Sequence, residues 1–185
     1  MKPLKLTPAY KDYIWGGTKL KAKYGKGAEI GHMVMHLNGE KCTCGRRGCF
    51  EAYASATALV NQTKKAMKEN PGCEMWKICN NKLSKLDGQT AFRAEDEIAK
   101  KVVKDYLGYM AEGVVNIVNI FQPEIICIGG GISHEGEKIL TPIKRMIKNK
   151  SFARFGKKQS DVCLASLGND AGIIGAALLW KNTLK

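Results

Sequence analysis

The apolar patterning of the chain predicts an α/β fold. Three observations carry this. A long stretch, about Ala91 to Ile120, places Val102, Tyr106, Met110, Val114 and Ile117 on one side of a helix. Two short apolar runs, Glu124–Ile128 and Val162–Ala165, have the length and composition of strands. Helical patterns stand between and after these runs. An order of helix, strand, helix, strand, helix packs as helices on a parallel sheet with right-handed crossovers.

Taken in order, the first residues predict a strand near Leu4–Leu6 and a turn at Gly16-Gly17. Gly27–Glu51 is a loop. Ala52 to about Glu69 is a helix, with Ala56, Leu59, Val60, Thr63 and Met67 at helical spacing, and Asn70-Pro71-Gly72 stops it. A polar loop runs through Leu86-Asp87-Gly88. The long helix follows and ends at Gln122-Pro123. Glu124–Ile128, bounded by Pro and Gly, reads as a buried parallel strand, whose apolar face would stay partly uncovered unless Leu4–Leu6 or Tyr13–Trp15 adds a substitute strand. After Gly129-Gly130-Gly131, Glu137–Lys148 is helical, with Pro142 in or near the first turn. Val162–Ala165 is the second strand. Asp170 caps a final helix, Ala171 to about Lys181.

The composition is that of one globular domain: 185 residues, 44% hydrophobic and 25% charged. No apolar run approaches the roughly 18 residues of a membrane helix, and Met1-Lys2-Pro3 opens no secretory leader. Seven cysteines without a leader predict a reducing cytoplasm. The net charge of +13 raises nucleic-acid binding as a function. The lysines are dispersed, however: Lys64, Lys65 and Lys68, then Lys100, Lys101 and Lys104, then Lys144, Lys148 and Lys150. That spacing predicts solvated helix faces, with no membrane partner and no specific nucleic acid.

The chemistry is concentrated in Glu29-Ile30-Gly31-His32 and in the run from Cys42 to Glu51, which reads C-T-C-G-R-R-G-C-F-E. One histidine and three cysteines within eighteen residues match the Cys₃His set of structural zinc sites. The predicted ligands are His32, Cys42, Cys44 and Cys49, with Gly45 and Gly48 letting the chain fold back. A metal-free loop with three ordinary thiols is the alternative. Glu29 and Glu51, flanking the set, suit a polyhydroxylated ligand, because carboxylates accept hydrogen bonds from sugar hydroxyls. Gly129-Gly130-Gly131 follows a strand, where α/β sheets bind ligands; nucleotide contact and a plain tight turn are both compatible with the glycines. His36 reads as a surface residue of the loop and His134 as a helix-start residue.

Glu-x-Gly-His followed by C-x-C-G-x-x-G-C-x-E resembles the signature of the ROK family, which takes in repressors and sugar kinases, among them bacterial glucokinases. The resemblance runs from about Gly27 to the C-terminus. Ile128–Ser133 resembles the family's glycine turn near the nucleotide, and Leu167–Ala177 resembles the opening of its C-terminal helix. It implies zinc on His32, Cys42, Cys44 and Cys49, hexose on Glu29, His32 and Glu51, and an adenosine-side nucleotide contact at Gly129, Gly130 and Gly131; ATP and Mg²⁺ are the family's cofactors, but the residues that would position phosphates and magnesium are not readable in this sequence. It also implies the C-terminal lobe of the actin and hexokinase (ribonuclease H-like) ATPase fold. The family's N-terminal lobe carries a D-x-G-G-T phosphate motif and a catalytic aspartate, and neither is readable in this sequence. The expectation is therefore an incomplete lobe, residues 27–185, with a zinc-binding loop, no catalytic residue of its own, and a need for a missing N-terminal lobe or an oligomer. Leu4 to Thr18 resembles the N-terminus of type I mannose-6-phosphate isomerases, so residues 1–26 read as a segment of other origin, not a domain. Three readings follow: a sugar-kinase lobe with little activity alone, a non-catalytic sugar-sensing or assembly module, or a recombined reading frame without evolved function.

Overall fold

Two short strands, β1 (Asp12–Trp15) and β2 (Thr18–Lys21), pair antiparallel with Trp15 opposite Thr18. The computed structural model describes residues 12–15, 18–21, 29–156 and 159–166. The expected strand near Leu4–Leu6, the glycine turn, the Asp170 cap and the final helix lie outside the described residues.

Past the loop of residues 29–50, the expected helix from Ala52 is two helices. These are α1 (Glu51–Ala54) and α2 (Ala56–Glu69). Ser55 divides them. Its backbone is extended (φ −81°, ψ 165°), and its Oγ accepts the backbone N–H of Ala58 at 3.0 Å. Serine favours this N-cap role over a helix interior because its hydroxyl satisfies one of the donors that a helix start leaves open. α2 stops at Asn70, as the Asn-Pro-Gly signal requires.

The polar loop expected next contains a short helix, α3 (Glu74–Ile78), and the long helix begins later than its apolar period suggests. Thr90–Arg93 is a separate turn, α4, and α5 spans Glu97–Phe121. One carboxylate accounts for both changes. Asp96 Oδ1 accepts from Ala99 N at 2.8 Å and starts α5, while Oδ2 accepts from Glu74 N at 2.6 Å and starts α3. Gln122 closes α5 in the left-handed conformation (φ 43°), before Pro123.

β3 (Ile125–Ile128) and β4 (Asp161–Leu164) pair in parallel with Ile126 beside Val162. Between them runs α6 (Glu137–Lys150), which turns Ile139, Ile143 and Ile147 into the core. Pro142 is its sixth residue, one turn further in than expected, and lacks the N–H that would bond four residues back. Ile126 and Val162 face the core of α2, α5 and α6. Among the described residues the other face of the sheet is less covered: Ile125 is 37% exposed and Cys127 is exposed. Of the strand's residues only Ile126 is buried, in line with the partly uncovered face expected without a substitute strand. β1 and β2 form their own two-stranded sheet and do not extend β3 and β4, so Tyr13–Trp15 is no substitute strand there. Apolar surface is left open at the end of α5 as well, where Ile120 is 59% exposed.

α5 is the platform for the loop and for α1. The Tyr106 hydroxyl donates to Ala54 O at 3.1 Å. Gly113 leaves room for the Phe50 ring, which would lie 2.2 Å from a Cβ at that position. Gly113→Ala should therefore displace Phe50 and destabilise by about 1–2 kcal/mol, because overpacking outweighs the helix propensity gained. Gly108→Ala, in the same helix with nothing within 4 Å of its Cβ, should stabilise by up to about 1 kcal/mol. Urea unfolding of both variants checks the opposite signs.

Candidate functional site

The loop before α1 is built by a few backbone hydrogen bonds. Glu29 precedes a single 3₁₀ turn, Ile30–His32, closed by His32 N to Glu29 O at 3.0 Å. The chain then runs antiparallel to the end of the cysteine segment: Val34 bridges Cys49, Phe50 N donates to Met33 O at 2.8 Å, and Met35 N donates to Gly48 O at 2.7 Å. That ladder brings His32 beside Cys49. The tip is a tight turn, with Cys42 N to Arg46 O at 2.9 Å and Gly45 N to Cys42 O at 3.0 Å. Arg46 Nη1 donates back to His32 O at 3.2 Å and ties the tip to the 3₁₀ turn.

Gly48 has φ +79°, and a Cβ there would lie 1.6 Å from His36 O. Both the dihedral and the space demand glycine. Gly45 has φ +88° with open space around it, so only its dihedral favours glycine.

The result gathers the four predicted metal ligands. The ligand atoms of His32, Cys42, Cys44 and Cys49 all lie within 4.8 Å of one another. Cys42 Sγ is 3.5 Å from His32 Nδ1, and Cys44 Sγ is 3.7 Å from Cys49 Sγ. The latter is far beyond a disulfide bond length. The backbone N–H of Cys44 holds the Cys42 thiol down to about 7 against partial burial. Burial pushes the Cys49 thiol up to about 11, with the neighbouring thiols of Cys44 and Cys42 adding to the effect. Three sulfurs and an imidazole form a donor set that could hold one soft or borderline metal ion.

Glu51 is the first residue of α1, two positions past Cys49. Its Oε1 accepts from Thr43 Oγ1 at 3.1 Å, and a Cβ on Gly31 would lie 3.5 Å from its Oε2. The turn that carries Glu29 and His32 therefore packs on Glu51. Glu29 itself is exposed. Thr43 was not legible as a partner of Glu51: the middle position of C-x-C supplies no ligand, and only the folded turn brings it to the carboxylate. His36 is exposed, as expected, but its ring lies 4.9 Å from Tyr53 and 5.6 Å from Tyr109, a cluster the sequence did not suggest. It is not part of the metal-ligand group.

Gly129, Gly130 and Gly131 stand at the carboxyl end of β3 and line a cleft of about 340 Å³. Phe50, Ala54, Ser55 and Tyr106 line the same cleft. Gly130 has φ +89°, and Ser133 fastens the turn by donating from Oγ to Gly130 O at 2.8 Å. His134 lies in the 3₁₀ turn Gly131–Glu135 that follows. A larger cleft of about 1040 Å³ lies between α5, α6 and His36, with Lys104, Lys138 and Arg145 on its rim; none of the predicted site residues lines it. The three lysine clusters are exposed on α2, α5 and α6, as the dispersed spacing predicts. No helix among the described residues is long and apolar enough to cross a membrane.

Comparison with known proteins follows the same lines. The sequence model of the ROK family matches residues 13–183 and so reaches into the segment likened above to isomerases. A glucokinase of Thermotoga maritima is 34% identical over 171 residues, 91% of this chain and 53% of that protein. A glucokinase of Halalkalibacterium halodurans is 33% identical, across 91% of this chain and 52% of its own length. A crystal structure of a ROK family glucokinase from Streptomyces griseus, in complex with glucose and AMPPNP, superposes with a TM-score of 0.80 at 28% identity. That superposition covers 91% of this chain and 55% of that one. The chain thus spans about half the length of the relatives it matches.

Gly48→Ala should scatter the four ligands, because the His36 carbonyl cannot give way without breaking the ladder. Metal content of the purified variant should fall well below that of the parent. Gly72→Ala, with nothing within 4 Å of its Cβ, should leave the content unchanged. Atomic emission analysis of the two variants decides it.

Proposed function

The chain belongs to the ROK family, and on that premise we propose that it is the zinc- and hexose-binding lobe of a glucokinase-like, ATP-dependent sugar kinase. The observation that carries the reading is the placement of Glu51 against the gathered His32, Cys42, Cys44 and Cys49. Metal-ligand set and sugar carboxylate are built by one loop.

Two of the spacings are compatible with zinc, in a set whose ligand atoms lie within 4.8 Å of one another. Zn–S bonds of about 2.3 Å and a Zn–N bond of about 2.0–2.1 Å give tetrahedral edges of about 3.8 Å between sulfurs and about 3.5 Å between sulfur and nitrogen. Cys44 to Cys49 and His32 to Cys42 span 3.7 and 3.5 Å. Zinc bound there supplies a fixed crosslink among the 3₁₀ turn, the tip and the start of α1. The chain's own residues then do the recognition. Glu29 and Glu51 accept hydrogen bonds from hexose hydroxyls, and the ring N–H that zinc leaves on His32 donates one to a hydroxyl oxygen. Gly129, Gly130 and Gly131 offer a backbone surface to the adenosine side of ATP.

We assign no general base to this chain. Phosphoryl transfer needs the acceptor hydroxyl, a base, magnesium and the phosphates held in line, and Glu29, His32 and Glu51 are already used as ligands. Turnover is therefore assigned to an assembly with a complementary lobe or a second copy. The second reading, a sugar-sensing module, is favoured by similarity to a xylose repressor of Caldicellulosiruptor bescii, 31% identical over 131 residues, 69% of this chain and 32% of that protein.

The test is calorimetric titration with glucose, beside metal analysis. One zinc per chain should be found and should be lost in Cys44→Ser. Glucose binding should be weak and should fall in Glu51→Ala by tenfold or more, the loss of a charge-assisted hydrogen bond of about 1.5–3 kcal/mol. Zinc-free folded protein, or tight glucose binding that survives Glu51→Ala, would contradict the proposal.

A further inference from the structure

Thr43 stands between two members of the cluster, Cys42 and Cys44, yet it supplies no ligand atom. Its backbone is fixed by the tip turn, where Cys42 N bonds Arg46 O and Gly45 N bonds Cys42 O. From that fixed point its hydroxyl donates to Glu51 Oε1 at 3.1 Å. The other oxygen, Oε2, lies under Gly31, 3.5 Å from where a Cβ would be. One carboxylate oxygen is thus hydrogen-bonded from the segment that carries the sulfur ligands, and the other lies near the turn that carries His32. α1 does not do this itself: Glu51 is the first residue of a four-residue helix, and its side chain has three rotatable bonds.

We propose that Thr43 is a positioning residue for the hexose-binding carboxylate, so that the turn gripping the metal also aims Glu51 at the sugar. This rests on the reading of Glu51 as a sugar ligand. The argument is one of preorganisation. A carboxylate held in its bound orientation loses little freedom when the sugar arrives, whereas a swinging one loses more and binds less tightly. The Thr43–Glu51 bond is exposed to water, so a hydroxyl on a flexible loop would hold the carboxylate poorly. A hydroxyl on a turn pinned at both neighbours holds it better.

The experiment compares the parent with Thr43→Val, Thr43→Ser and Glu51→Ala. For each, zinc content, glucose affinity and the side-chain carboxyl ¹³C resonance of Glu51 (where present) are measured. Thr43→Val should keep its zinc, shift the Glu51 resonance and weaken glucose binding by about two- to tenfold, the range of one ordinary hydrogen bond. Thr43→Ser should restore both resonance and affinity. Parental resonance and affinity in Thr43→Val, loss of zinc in that variant, or no rescue by serine would each overturn the proposal. Should the resonance move in valine and return in serine while the parent binds no glucose, Thr43 still positions Glu51 and the sugar reading is what fails.

Discussion

The loop that carries the chemistry hangs on one close approach, Gly48 against the carbonyl of His36. No side chain fits there, and the φ of +79° suits glycine. Because the two strands of the loop can touch at that point, Met35 and His36 both donate to Gly48 O, and Val34 bridges Cys49. The contact sets the register between the segment bearing His32 and the segment bearing Cys49. Register fixes which side chains face one another, so the metal-ligand set, and with it Glu51, follows from a backbone constraint rather than from side-chain attraction. A bound metal would crosslink an arrangement that the main chain already favours, which reduces the ordering that binding must cost.

The loop in turn depends on α5. Gly113 gives the Phe50 ring a seat, and Tyr106 holds the end of α1 through Ala54. Tyr106 is fully buried, and burial pushes its phenol up to about 12, so it stays a neutral donor throughout the ordinary pH range. The same helix packs on α6 and on the inner face of the two-stranded sheet, and therefore couples the cysteine loop to the glycine turn at the end of β3. Among the described residues, Ile125 on the outer face of that sheet and Ile120 at the end of α5 are exposed apolar positions. A two-stranded parallel sheet is rarely stable without cover on both sides.

Much of this was legible because the informative signals are local. His32 to Cys49 is a short stretch, and its ligand spacing reports chemistry before any fold is known. The buried face of α5 follows from a helical period maintained over many turns. The errors fall where a cap competes with a period. Ser55 and Asp96 interrupt apolar patterns that continue through them, and the second carboxylate oxygen of Asp96 starts α3, too short for any period to show. The separate pairing of β1 with β2 is a tertiary fact that strand composition does not encode. The Thr43–Glu51 bond is of the same kind: two residues eight apart meet only because the tip folds back over α1.

The central claim is that one loop fixes a Cys₃His zinc site and a sugar carboxylate together, and the metal's coordination sphere tests its foundation most directly. X-ray absorption at the zinc edge of the purified protein should show three sulfurs at about 2.3 Å and one nitrogen at about 2.0–2.1 Å. Oxygen neighbours in place of sulfur, four sulfurs with no nitrogen, or no zinc edge at all would contradict the account.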